Sequence, residues 1–179
     1  MKNPILGVSL VLLFCFTFGC QNKAEKAELE KFRTEAKLEE QNKTLAMQEG
    51  EMLNKGDFDA LKELLAPEFL LYKPRSAKPA SREEQIYWLK IFHEAFPDLS
   101  WIPQEFIAAG DKVIVRFIAR GTHNGEYKGI PASGNKIEFS GIVILRMENR
   151  KIVEQREQND ISDIVMQLGM ELKPKEVKK

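Results

Sequence analysis

Cysteine is almost absent from this chain: Cys15 and Cys20 are the two it has, both near the N-terminus. Nothing downstream can pair with them, which excludes a disulfide framework. Histidine is equally scarce, with His93 and His123 alone. With no downstream cysteine, that leaves too few ligands for a His/Cys metal site. Net charge is missing too, since 27 basic residues balance 27 acidic ones, which argues against a nucleic-acid binder held by phosphate contacts. The longest uncharged apolar run, residues 5–18, falls short of the roughly 20 residues that span a bilayer.

What is present is a chain of 179 residues, enough for one domain plus an extension. A domain of ~150 residues buries about 68–70% of its unfolded surface and needs no covalent staple. Lys2 and the run at 5–18 have the form of a secretory signal peptide. The run ends in Thr17-Phe18-Gly19-Cys20, which resembles the lipobox of bacterial lipoproteins. Gly19 and Cys20 fit it, while Thr17 stands where Leu is preferred. The resemblance implies a signal peptide over residues 1–19, a lipid on Cys20, and an exported, membrane-anchored lipoprotein. Gln21, rather than Asp, after the cysteine implies the outer membrane or cell surface. At about 0.8 kcal/mol per buried CH₂, two or three acyl chains anchor stably. An ordinary signal peptide or an uncleaved anchor is the competing reading.

Residues 20–40 are rich in Lys, Glu and Ala at helical spacing, as in a solvated helix or a flexible spacer. From Leu38 an apolar stripe runs through Leu45, Ala46, Met52 and Leu53, predicting a helix that stops at Gly56. Asp57 caps a second helix to about residue 65, with Pro67 as its stop and a strand at 69–72. Ser81 and Glu84 form a capping box for a helix over 82–95. Strands follow near 101–108, 113–120, 136–147 and 151–160, with a Gly-rich hairpin at 122–135 and a closing helix at 161–168. Residues 170–179 are a charged tail. Helices first and antiparallel strands later is an α+β order.

The last strand carries polar residues where a core strand carries apolar ones. Arg156, Gln158 and Asp160 alternate, so they share one sheet face, and the expectation is that this face looks into an apolar hollow. Trp88 and Phe92 sit on the aromatic stripe of the 82–95 helix. That stripe reads as core packing, or as the wall of a pocket.

Several motifs are familiar. Residues 54–69 (NKGDFDALKELLAPEF), 96–99 (FPDL), 110–113 (GDKV) and 121–125 (GTHNG) resemble SnoaL-like polyketide cyclases. So do 129–131 (GIP), 141–142 (GI), 151–154 (KIVE), Asp160 and 167–169 (QLG). The resemblance spans residues 41–169. It implies the nuclear-transport-factor-2-like fold, an α+β curved antiparallel sheet wrapped on N-terminal helices to form a cone-shaped pocket. It also implies a small-molecule ligand, a homodimer, and acid/base chemistry on a carbonyl compound with no cofactor and no metal. Asp160 matches the family's general acid/base, and a carboxylate in an apolar cone has a raised pKa suited to proton transfer. Asp is equally a favoured cap for the helix that follows. His123 matches a family histidine that polarises a carbonyl or donates to ligand, or it is a loop histidine satisfied by backbone. Arg156 stands where an aromatic residue is usual; it favours an anionic ligand, or pairs with Asp160 or Glu154. Tyr72 stands where many relatives have His, as a hydroxyl donor at the pocket mouth. Fold does not carry activity by itself. A non-catalytic ligand-binding or assembly lipoprotein therefore stands beside the enzyme as a second reading.

Overall fold

The computed structural model describes residues 5–74, 76–159 and 161–170, with side chains from residue 23 onward except at 161 and 162. Two compact units divide it, Met1–Leu38 and Glu39–Lys179. In the first, the described part is helix, and the side chains of residues 23–38 are exposed. Pairs one helical turn apart, Arg33–Glu30 and Lys31–Glu35, decorate it. Cys15 and Cys20 have side chains outside the described residues. Among the described residues, no helix is long and apolar enough to cross a membrane.

The second unit is α+β. Its elements are the end of α1 (Ile5–Lys55), α2 (Phe58–Leu64), β1 (Leu65–Tyr72), β2 (Ala80–Ser81) and α3 (Arg82–Ala95). Then come β3 (Ser100–Ala109), β4 (Lys112–Thr122), β5 (Lys136–Glu148), β6 (Lys151–Asn159) and α4 (Ile161–Gln167). α1 stops at Lys55 because Gly56 takes the left-handed conformation, φ 66°, which costs glycine least. The Asp57 side chain accepts from Ala60 N at 3.0 Å and starts α2. At α3 the Ser81 hydroxyl and the Glu84 carboxylate satisfy each other's backbone N–H, the reciprocal cap expected from that spacing. β1 begins at Leu65, earlier than the sequence suggests, and contains Pro67. Its pairing to β6 shifts register between Leu65 and Leu70, where proline has no N–H to give. Leu38, the expected start of the apolar stripe, is exposed; the buried stripe begins at Asn42, Leu45 and Ala46.

The six strands form one curved, unclosed sheet in the order β2-β1-β6-β5-β4-β3. Its pairs are antiparallel except β1 with β6, which run parallel. Val113, Val115, Phe117 and Ala119 of β4 are buried with Ile137, Phe139, Leu145 and Met147 of β5 on the inner face. α1 is tied to the sheet by Asn54, which holds both polar atoms of Trp101's backbone, at 2.6 and 3.0 Å. Glu39 and Asn42 hold those of Gly110, both at 2.9 Å.

One irregularity decides the polarity of β6. Met147 pairs with Ile152, but Arg146 pairs with Glu154, so Val153 is an extra residue. Such a bulge reverses the inside–outside phase beyond it. Ile152 is inward, and after the bulge Gln155, Glu157 and Asn159 are inward, opposite Leu145, Val143 and Gly141. Arg156 and Gln158 do share a face, as expected, but it is the outer, exposed face rather than the hollow. Asp160, the third member of that row, lies outside the described residues.

Candidate functional site

A cavity of about 360 Å³ lies between the helices and the inner face of the sheet. Its walls are mainly apolar, from Ala46 and Leu53 of α1 through Leu89 of α3 to Phe106, Val115 and Val143 of the sheet. A second cavity, about 310 Å³, adjoins it and shares Gln85, Leu89, Trp101, Glu157 and Asn159. Trp88 and Phe92 line this second cavity with Tyr127 and Phe139. Phe92 also meets the rings of Phe96, Tyr127 and Phe139 at 4.9–6.1 Å, so packing and pocket wall are one and the same there. Burial pushes the Tyr127 hydroxyl pKa up.

The polar side chains of the lining are Glu49, Glu51, Asn54, Gln85, Gln155, Glu157 and Asn159. Glu49 occupies the apolar face of α1, one helical turn from Leu45, Ala46, Met52 and Leu53, and is 8% exposed. No hydrogen bond reaches its carboxyl among the described residues. Burial, and then the nearby Glu157 charge, push its pKa up from 4.5 to about 8. Desolvation is the larger cause, and among the described residues no cation compensates the lost hydration. Glu157 differs by one neighbour: Lys73 Nζ stands 3.6 Å from its carboxylate. Burial still raises the Glu157 pKa, and Lys73 opposes that rise. At neutral pH the site therefore holds a neutral carboxylic acid at Glu49, and Lys73 favours the charged form of Glu157 beside it.

The residues expected from sequence fall elsewhere in part. Arg156 pairs with Glu154 at 2.8 Å and lies over the Tyr72 ring, 4.2 Å from its centroid. Both options for Arg156 assumed a residue in or near the pocket; the Glu154 pairing is real, but it is on the outer face. Tyr72 is half-buried beneath that guanidinium and lines neither cavity. His123 is fully buried and also lines neither cavity. Its Nδ1 accepts from Ser133 N at 3.3 Å and faces the Ser133 hydroxyl at 3.0 Å. That leaves the ring proton on Nε2, which has no partner among the described residues. The ring packs on Phe96 at 5.3 Å, and the backbone of His123 bonds Asn135 and Gly134, pinning both ends of the hairpin loop. Among the described residues, no group of three His, Cys, Asp or Glu side chains is arranged to hold a metal ion.

Sequence reasoning missed Glu49, Gln155 and Glu157. The signal for Glu49 was available: a lone acidic residue inside an apolar helical stripe.

A family model described as SnoaL-like polyketide cyclase matches residues 44–168. Among solved structures, IdmH of Streptomyces antibioticus, a candidate polyketide cyclase, is 29% identical with a TM-score of 0.65, covering 72% of this chain and 99% of that one. AclR of Streptomyces galilaeus, a candidate hydroxylase, is 22% identical with a TM-score of 0.69, covering 73% and 97%. A SnoaL-like polyketide cyclase of Agrobacterium tumefaciens is 19% identical with a TM-score of 0.60, covering 72% and 98%. The two below 25% identity speak for the fold alone, and their names span two activities. A comparison with curated proteins finds no sequence match.

Proposed function

This chain belongs to the SnoaL-like polyketide cyclase family, and we propose that it binds a small, largely apolar carbonyl compound and performs cofactor-free acid/base chemistry on it, of the cyclase or isomerase type. The observation that carries this reading is the lining of the larger cavity, mainly apolar, with Glu49, Gln85, Gln155, Glu157 and Asn159 among its polar residues. An apolar body gains about 25 cal/mol per Å² on leaving water, and a few polar groups suffice to orient its carbonyl. Asp160, to which the family resemblance gives proton transfer, follows Asn159 of the lining directly in sequence. His123 serves in this reading to hold its loop. The same reading anchors the domain through a lipid on Cys20, supported by the apolar run that ends at Gly19-Cys20. It pairs two copies through the outer sheet face, where Ile107 and Ile142 are 50% and 45% exposed.

Titration with 6-propionyl-2-dimethylaminonaphthalene, a neutral ketone whose emission shifts blue in apolar surroundings, tests the binding step. Saturable, blue-shifted binding to the parent protein, weakened at least tenfold by Val143→Trp, is expected. Absence of saturable binding, or binding indifferent to the filled cavity, contradicts the reading. A binding-only protein would take up the ketone and leave its chemistry untouched.

A further inference from the structure

Glu49 and Glu157 reach the same cavity from different elements, α1 and β6. They are made unlike by what surrounds them. Glu157 has a lysine at 3.6 Å; Glu49 lines the cavity with Ala46, Leu53 and Leu61, and among the described residues no cation pairs with it. A carboxyl facing a second carboxylate in one hollow is harder to ionise, and the lysine beside Glu157 favours the charge there. The result is one acceptor-only group and one O–H donor facing one space.

We propose that Glu157 is the base and Glu49 the hydrogen-bond donor in enolisation of a ketone or ester bound in this cavity. This rests on the ligand reading above and assigns the residues that do its chemistry. The Glu157 carboxylate takes a proton from the carbon next to the carbonyl. The C–H electron pair becomes the enolate double bond, and the carbonyl π pair moves onto oxygen. The neutral Glu49 carboxyl donates a hydrogen bond to that oxygen, which strengthens as charge develops there. The proton on Glu157 then returns to carbon, at the same position or along the enolate, so no oxidant, reductant or cofactor enters the balance. Lys73 keeps Glu157 ionised between turnovers. Gln155, next inward on the strand, lies on the same wall. The substrate class is therefore an apolar ketone or ester with an acidic α-hydrogen, compact enough for a cavity of about 360 Å³.

The test is hydrogen–deuterium exchange at the α-carbons of 2-tetralone, followed by proton NMR in D₂O with the full chain, after subtraction of the solution rate. Binding of the naphthyl ketone and circular dichroism serve as controls on each variant. The parent accelerates exchange, and Glu157→Gln lowers the protein-dependent rate about 100-fold while the ketone still binds. The parent rate falls as pH rises through about 8, where Glu49 releases its proton, whereas Glu49→Gln is slower at pH 7 and lacks that fall. Glu154→Gln, on the outer face of the same strand, leaves the rate unchanged. Two results overturn the assignment: ketone binding with no accelerated exchange, or exchange lost in Asp160→Asn with both glutamate variants at the parent rate. Failure of the ketone to bind at all removes the ligand reading, and this assignment with it. A glutamate variant that loses its fold is replaced by Lys73→Met, which is expected to lower the rate below pH 7 by removing the charge that keeps Glu157 ionised.

Discussion

Glu49 on α1 and Glu157 on β6 line one cavity, and the charge on the second helps keep the first neutral. Among the described residues, Lys73 pairs with Glu157 and not with Glu49. The asymmetry puts a neutral acid and a lysine-paired carboxyl on one cavity, and it has consequences for stability as well as chemistry.

Stability should fall as pH rises through the neutral range. Above pH 4.5 the unfolded chain releases the Glu49 proton, while the folded chain keeps it until about pH 8. Across that window each step upward favours unfolding, and above it the effect is constant. Glu157 acts in the same direction, since burial raises its pKa too. Glu49→Gln removes the main term, so urea unfolding should show the variant gaining roughly 2–5 kcal/mol on the parent between pH 5 and pH 8. Parallel pH profiles for the two proteins would contradict this.

Asp98 works with the opposite sign. Its carboxylate accepts from Thr122 Oγ1 at 2.7 Å and Thr122 N at 2.6 Å, and those bonds hold its pKa below 3.8. The stabilisation is present above that unfolded value and lost as pH falls through the lower folded one. Asp98→Ala should lower Tm by about 3–6 °C at pH 7, and the deficit should shrink below pH 3.8. A deficit that persists undiminished at pH 2 would assign the loss to packing instead.

Much of the fold was legible because it is written in local chemistry. The Ser81–Glu84 cap, the Gly56 stop and the alternating apolar rows of β4 and β5 each follow from side chains a few residues apart. The site was legible only in outline. Counting by twos from Ile152 puts Glu154, Arg156 and Gln158 inside, and the count fails because Val153 is an extra residue. Bulges are set by pairing with a neighbouring strand, which alternation within one strand does not reveal. Glu49 was visible as a charge in an apolar stripe, yet its partner Glu157 is over 100 positions away in sequence. His123 belongs to a recognised motif, and it is the depth of its loop, with Phe96 on one side and Ser133 on the other, that keeps it from the cavity.

Gly125 lies against the backbone of α3: a Cβ there would stand 2.3 Å from Glu94 O. Its N–H and that of Asn124 both bond Ala95 O, at 3.0 Å, so the loop has no room to retreat. Gly125→Ala should cost about 3 kcal/mol in urea unfolding, the upper end for overpacking, because the clash is with backbone. Gly129→Ala is a useful contrast. It has open space around it but φ 81°, so its cost is conformational, about 1 kcal/mol. Equal losses at both positions would refute the close-approach argument.

Cys20→Ser should abolish metabolic palmitate labelling and shift the protein from the membrane fraction to the soluble exported fraction. Globomycin should block processing of the parent. A Cys20→Ser protein that stays with the membrane would refute the lipid anchor.

The neutral acid in the cavity is tested most directly by carbon-13 NMR titration of the protein labelled at its glutamate side-chain carboxyls. One resonance should titrate near pH 8 and vanish in Glu49→Gln, with a second, assigned to Glu157, shifting upward in pKa when Lys73 is replaced by Met. If every glutamate carboxyl in the folded protein titrates between about pH 4 and 5, the cavity holds no neutral donor at pH 7 and the account of its chemistry is wrong.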